Sequence, residues 1–533
     1  MTSPKLYRVN KIGLPDLIAE QFYMVVDFPE QCKYSILQSD SQLFRQIRLI
    51  TKTDGNYNPY VLFVDCKGQK NKVAELTEII LHGFQFNGRR FVLSERSASM
   101  SRNSILSFVD ASVAATLNER ITMGISFDKT VLSKYMAYRG LMFSSCFCLE
   151  DWFPKVIVVD DYEGLLKDQH IKFLKDEIVE FKDKVTGEPR TWKQKAIAEG
   201  IHDLPLNAFD GCGLHHPQIT REVKARIGMR GNPTSVLWRF PYVKGVTHQF
   251  DYTGFLVERG IEMITDIWGM EHSVYEPMII LTKSMYKGFG YFKQSGTIED
   301  WNRYWAMFYK YNHCLGVAKW NFSKDEEPAY TGANYQILQD LDLPFEQFAE
   351  LANVSMDYIE RVIQGDPAHT YHFLGLMADS HEGLNNYMRA VLKNPAMMRE
   401  AGVKKYISGL LRKKMDDMKA GKIYLDATFK FAAPDLIALC EHIGGLKPVG
   451  VLGESEFWTQ SKYKRYMGEY LIERNPHICH SEHVILSQSN CDAIWKWCGH
   501  LENVCMLNVK SPVTARLNGA DWRVKNKSCP TVM

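Results

Sequence analysis

Asp210-Gly211-Cys212-Gly213, a helical run from Gln218 to Ile227, the strand-like run Ser235-Val236-Leu237-Trp238-Arg239-Phe240 and the step Lys244-Gly245-Val246 follow one another in close succession. β-Branched and aromatic residues fit a pleated, half-buried surface. Glycines after such runs permit a positive φ or the close approach of a second backbone. The stretch from about 200 to 294 therefore reads as strands joined by tight turns. Strands return from Gly421 onward, at Ile423-Tyr424-Leu425 and Val449-Gly450-Val451-Leu452. Between about 296 and 420 the spacing is helical: Phe345, Phe348, Leu351 and Ala352 fall three or four apart, as do Tyr358, Val362 and Ile363. The fold class expected is α+β, with two β-rich regions joined by a helical one.

At 533 residues, 45% hydrophobic and 12% aromatic, the chain can bury a large core divided among several domains. No stretch approaches the roughly 18 apolar residues of a membrane span, and Met1-Thr2-Ser3-Pro4 does not open a signal peptide, so a cytosolic protein with no membrane partner is expected. Twelve cysteines without paired spacing suit a reducing compartment. A net charge of +2 excludes a wrapper that binds nucleic acid by bulk charge alone. Charge is concentrated locally, in Lys404, Lys405, Arg412, Lys413, Lys414, Lys419 and Lys422, and again in Lys462, Lys464 and Arg465. Such a run is either a solvated helix face or a strip that tracks phosphates.

Three further clusters have two readings each. The buried-strand run Val156-Ile157-Val158-Val159 ends in Asp160-Asp161, a pair that caps a following helix or binds metal. Phe345 to Gly365 has the form of a helix-turn-helix, although no basic recognition helix follows it. His477-Ile478-Cys479-His480-Ser481-Glu482-His483 is rich in zinc-ligand types, yet no second ligand pair stands at matching spacing, which favours a loop.

In order and residue type, the stretch from 200 to 294 resembles the first double-psi barrel of the two-barrel RNA polymerases, the cellular RNA-dependent and phage single-chain enzymes. The shared elements are the Asp210-Gly211-Cys212-Gly213 turn, the helix after it, a strand ending in Arg239, and Lys244-Gly245-Val246. Lys283-Ser284-Met285-Tyr286-Lys287-Gly288-Phe289 is similar to the family's Pro-Ser-Met-x-Lys-Phe element, with Lys in place of Pro and a Gly inserted. The region from 421 resembles the second barrel through Phe429 to Asp435, Gly450 to Phe457 and Arg474-Asn475-Pro476. Leu517-Asn518-Gly519-Ala520-Asp521-Trp522 resembles the opening of the Asn-Ala-Asp-Phe-Asp-Gly-Asp loop, whose three carboxylates hold magnesium; one of the three is present, and Arg523-Val524-Lys525 follow. Leu93 to Ser104 and Tyr138 to Ser145 echo N-terminal elements of the same family.

The resemblance implies a mixed N-terminal domain over 1–150, a first double-psi barrel over 151–294 with a strand-helix segment before it, a helical connector over 295–420 and an incomplete second barrel over 421–533. It implies a template-directed RNA polymerase using Mg2+ and ribonucleoside triphosphates, on a DNA or an RNA template, with a nascent RNA as product and host cytoplasm as its place if phage-encoded. Lys244, Lys287 and Asp521 are the implied catalytic residues, Arg474, Arg239 and Asn518 the nucleotide contacts and Asp521 the metal ligand. The missing carboxylates lead to the expectation of a truncated or split enzyme, completed by a separate chain, or alternatively of a non-catalytic nucleic-acid-binding remnant.

Overall fold

The computed structural model describes residues 5–517 except 23–34, 127–130, 183–186, 230, 322–329, 335, 340, 378–383, 462–463, 475–481, 509 and 516. The architecture is mixed α+β, organised on sheets of six, seven and five strands. The six-stranded sheet is N-terminal and runs in the order Ser35–Ser39, Leu6–Gly13, Tyr57–Asp65, Ile105–Asp110, Arg89–Leu93, Phe84–Phe86. It is tied to the rest by polar side chains rather than by apolar packing alone. The buried face of the helix Gln42–Thr51 carries Gln42, Arg45 and Gln46. Gln42 Nε2 donates to the Cys314 carbonyl at 2.8 Å, Gln46 Nε2 to the Tyr311 carbonyl at 3.2 Å, and Arg45 Nε to Glu150 at 2.8 Å. Buried polar groups are tolerated because each finds a partner.

The seven-stranded sheet positions the candidate site. Its order is Phe147–Leu149, Leu315–Trp320, Ser235–Phe240, Val243–Gln249, Cys212–His215, Met278–Thr282, Lys155–Val159. Cys212–His215 leads into the helix Pro217–Ile227, which starts where it does because His216 accepts from the Gln218 amide at 3.1 Å and Pro217 has no N–H that would need an acceptor. The helix stops at Gly228, which takes the left-handed conformation at φ 66°. The chain then returns through Ser235–Phe240 and Val243–Gln249, antiparallel to each other, and the second of these pairs in parallel with Cys212–His215. The stretch expected to be wholly helical from 296 thus contains a strand, Leu315–Trp320, inside this sheet.

The five-stranded sheet, in the order Phe431–Pro434, Val504–Leu507, Glu456–Thr459, Val484–Gln488, Glu469–Ile472, repeats part of that plan. Phe431–Pro434 is followed by the helix Leu436–Ile443, and it pairs in parallel with Val504–Leu507, the last of these strands along the chain. One apolar core joins the two sheets, with Ile157, Leu214 and Ile280 on one side and Leu436, Trp458 and Met506 on the other.

Four local expectations are corrected. No helix follows Asp160-Asp161: the chain enters an antiparallel ribbon of Glu163–Lys182 and Pro189–Asn207. Phe345–Gln364 is one continuous helix, because its apolar residues keep a single stripe with no interruption. Val449–Leu452 is a loop, not a strand, because carboxylates take its amides. Glu441 Oε2 accepts from Val449 and Gly450 at 2.6 and 2.9 Å, and Asp435 Oδ2 from Val451 and Leu452 at 2.7 and 3.0 Å. Tyr424–Leu425 is a strand, but it pairs with Thr331–Gly332 outside the five-stranded sheet.

Candidate active site

The strand Val243–Gln249 presents Lys244 directly across from Arg239 on the neighbouring antiparallel strand. Residues directly opposite share a face, and like charges in that position destabilise a sheet. A third cation is added by the segment after Met278–Thr282, which crosses the strand: Lys244 N–H donates to the Met285 carbonyl at 3.1 Å and Lys287 N–H to the Tyr242 carbonyl at 2.7 Å. The Lys244 ammonium is held below the ordinary lysine range, first by desolvation and then by Arg239 and Lys287, while Asp210 opposes the shift. Burial pushes Arg239 down to about 10, so it stays charged at neutral pH. Among the described residues, neither Lys244 nor Lys287 enters a salt bridge.

The glycines of the two motifs are explained by what crosses them. A Cβ on Gly245 would stand 2.6 Å from Cγ and Cε of Met285 and 2.7 Å from the Gly211 carbonyl oxygen. A Cβ on Gly213 would collide with the Ile280 carbonyl and reach 3.2 Å from Met285 Sδ. Met285 is fully buried against both. Gly211 itself turns the chain at φ 72°. The turn is then pinned: Gly211 N–H donates to Ser284 Oγ at 2.8 Å, and Ser284 N–H donates to Asp161 Oδ2 at 2.7 Å. Burial raises the Asp161 carboxyl, against the hydrogen bonds from Ser284 and Asn207. Asp160 pairs with Lys283 at 3.2 Å. The two aspartates therefore fix the segment that carries Lys287.

A cleft of about 590 Å3 opens beside this cluster, walled by the Asn207–Cys212 turn and Val246 from the seven-stranded sheet, and by Ala432–Pro434, Leu507, Asn508 and Leu517 from the other side. Asp210, Glu163 and Arg474 are its charged lining residues. Arg474 follows the edge strand Glu469–Ile472. The structure thus brings Arg239, Lys244 and Lys287 together, and it brings Arg474 to the cleft that Asp210 links to them. Asn518 and Asp521 lie outside the described residues, as do His477, Cys479 and His480 of the zinc-like run. Among the described residues no group of three His, Cys, Asp or Glu side chains is placed to hold a metal. Asp435, in the segment matched to the second barrel, is structural: it caps Leu436–Ile443 and holds the 451–452 loop.

Sequence alone gives no site role to Asp210, Glu163 or Ser284, and it leaves Asp161 between a helix cap and a metal ligand, neither of which is its place here. A carboxylate at the tip of an Asp-Gly-x-Gly turn was the available sign for Asp210. The other three owe their place to pairings between segments far apart in the chain.

No family model matches the chain. Over 435 residues, 79% of its length, it is 26% identical to the DNA-directed RNA polymerase YonO of Bacillus phage SPbeta. The chain is related to a phage RNA polymerase. It spans about half of that relative, 46% of its length. In three dimensions it is similar to the RNA-dependent RNA polymerase QDE-1 from Thielavia terrestris, with a TM-score of 0.51 and 10% sequence identity. The superposition covers 97% of this chain and 53% of that one, so the two share a fold.

Proposed function

We propose that the chain forms the two-barrel body of a template-directed RNA polymerase, with the seven- and five-stranded sheets as its double-psi barrels and the cleft between them as the nucleotide site. The observation that carries this reading is the cluster of Arg239, Lys244 and Lys287. Cations gathered with no carboxylate in salt-bridge reach among the described residues, beside a cleft, suit a polyanion of triphosphate size. The relation to YonO supports it independently.

In this reading Lys244 and Lys287 bind the triphosphate and stabilise the charge that develops as the leaving pyrophosphate departs. Arg239, directly across from Lys244, adds to the positive field and contacts the nucleotide. Arg474, with its planar fork, orients the sugar or phosphate from the opposite wall, and Asn518 contacts the same nucleotide. The cleft offers hard oxygen donors in Asp210 and Glu163, the ligand type that magnesium prefers, and the described chain reaches the cleft wall at Leu517, four residues before Asp521. Magnesium would be held by Asp521 with such carboxylates, and it supplies Lewis-acid activation at the phosphoryl oxygens when bound. The domain limits expected from sequence stand as part of this proposal, except that the first barrel takes in Phe147–Leu149 and Leu315–Trp320.

The second reading, a non-catalytic nucleic-acid-binding protein, is favoured by one feature: Arg523 and Lys525 stand where the other two carboxylates of the loop would be. The two readings are separated by incorporation of labelled ribonucleotide on DNA and RNA templates. The chain as given should be nearly inactive. A supplied polypeptide that opens with Asp-Gly-Asp should give magnesium-dependent synthesis that Asp521→Ala abolishes. Robust synthesis by the 533-residue chain alone would overturn the assignment of Asp521.

A further inference from the structure

The helical unit that ends at Lys419 carries a charge pattern the cleft does not use. Between 385 and 415 there are eight lysines and arginines and one carboxylate, Glu400, in a chain of net charge +2. That carboxylate is occupied, accepting from the Gly402 and Val403 amides at 2.6 and 3.3 Å as the cap of the helix Ala401–Lys419. Val403, Ile407 and Leu411 are the buried residues of this helix, packed with Ile359, Val362 and Val391. On a 3.6-residue repeat the opposite face presents Lys404, Lys405, Ser408, Gly409, Arg412 and Lys413, and all six are exposed. The centre of the strip is low and open, since a Cβ on Gly409 would meet nothing within 4 Å.

The salt bridges of this segment lie at its far end, from Lys419 to Asp416 at 3.4 Å and from Lys422 to Asp417 at 2.6 Å. Among the described residues no carboxylate forms a salt bridge with Lys404, Lys405, Arg412 or Lys413, although Asp417 at the far end feels the charge of Lys413. From Lys404 to Arg412 the rise is about 12 Å, so the charges lie in a line instead of converging on one point. Beside the N-terminal end of the strip, the rings of Tyr387 and Tyr406 stack with centroids 5.0 Å apart and planes 14° from parallel. Asn385 Nδ2 holds Tyr406 by donating to its hydroxyl at 2.8 Å, and Tyr387 remains 46% exposed.

We propose that this face binds the backbone of a single-stranded nucleic acid, with the Tyr387 ring as a platform for one base. A linear array of unpaired cations beside an exposed aromatic is the combination that tracks phosphates and stacks bases without reading sequence. A lipid surface fits less well, because the exposed positions from Lys404 to Lys413 are cationic or small and offer no apolar side to enter a bilayer. The inference goes beyond RNA synthesis in the cleft, and a non-catalytic chain would keep it.

The test is fluorescence anisotropy of a labelled oligouridine of about 16 nucleotides with the full chain over a salt series. The combined variant Lys404→Ala, Lys405→Ala, Arg412→Ala and Lys413→Ala should weaken binding about tenfold or more at low salt and reduce the slope of log affinity against log salt by about 2 to 3, near 0.7 for each cation. The milder pair Lys405→Gln and Arg412→Gln should give about half of that change in slope, which covers the case in which the fourfold variant folds poorly. Tyr387→Ala should weaken binding about fivefold or more and leave the slope unchanged, which separates stacking from charge. Unaltered affinity and slope in both charge variants would overturn the proposal. So would loss of binding to phosphatidylserine vesicles with oligonucleotide binding intact, which would make the face a lipid surface.

Discussion

Lys244 is held where two other cations and a desolvating wall weaken its grip on its proton. A bound triphosphate would relieve that repulsion. Lys244→Ala should therefore lower affinity for a fluorescent nucleoside triphosphate about 10- to 100-fold, the range for losing a hydrogen bond to a charged group. Because the pKa is shifted downward, affinity in the unmodified chain should begin to fall with rising pH before the ordinary lysine range is reached. Titration of both proteins across alkaline pH checks the two statements together. Gly245 makes a prediction about stability instead. Its missing side chain is the space that Met285 fills, so Gly245→Ala should cost about 1–3 kcal/mol in urea unfolding by overpacking. Adding Met285→Ala should recover only part of this, because the Gly211 carbonyl oxygen, 2.7 Å from the new methyl, is backbone and cannot turn away.

The ribbon of Glu163–Lys182 and Pro189–Asn207 has its buried contacts at its base. Leu204 and Leu206 are buried there with Ala515, and Leu166 packs against them. Farther out, Ile178, Phe181, Trp192, Ile197 and Ile201 are all exposed. Two strands alone bury too little to be stable in water, so the outer ribbon contributes little to the fold that carries it. His170 pairs with Ile201, and the ribbon can be cut at that rung. Replacing residues 171–200 by Asn-Gly, a two-residue turn whose twist matches the flanking strands, should leave the thermal midpoint within about 1 °C, a change of about 1 kcal/mol or less at about 2.1 cal/mol/K of unfolding entropy per residue. A larger drop in a melting experiment would show that the outer ribbon is packed on something. This element was invisible in the sequence because apolar residues stand on both faces of it, so no period of two separates an inner side from an outer one.

Three buried imidazoles respond to acid together, His215 and His248 on paired strands and His313 apart from them. His215 lies between Thr247 and Thr220 at 2.8 and 2.9 Å, His248 against Ser235 at 2.7 Å, and His313 between Gln46 and the Arg120 carbonyl, each at 3.0 Å. Burial pushes each from 6.5 down to about 3. Below pH about 6.5 the unfolded chain takes up protons that the folded chain refuses, so stability is lost as pH falls toward about 3, by up to about 1.4 kcal/mol per pH unit for each histidine. Urea midpoints between neutrality and pH about 5 should fall accordingly. His313→Asn should make the dependence shallower by about one proton's worth. His313 is the informative one, since it sits where the N-terminal unit meets the seven-stranded sheet.

The motifs that carry the chemistry were legible because each is local. A strand with Lys244 beside Gly245, a turn at Asp210-Gly211 and the helix Pro217–Ile227 are each specified by neighbours in the chain, through β propensity, positive φ and helix-end residues. Their order also suggested a polymerase, in agreement with the relation to YonO. Tertiary structure alone decided that Arg239 stands across from Lys244, that Met285 fills the space above Gly245 and Gly213, and that Asp161 holds Ser284. It also decided that Leu315–Trp320 leaves a helical region to join a sheet and that Val449–Leu452, apolar enough for a strand, is a loop bound to Asp435 and Glu441. The reason is common to all of these. Propensity and spacing report on what single residues favour, whereas a strand register, a side-chain filler or a carboxylate acceptor is chosen across separations that run from five residues, for Arg239 and Lys244, to 123, for Asp161 and Ser284, and only folding makes the choice.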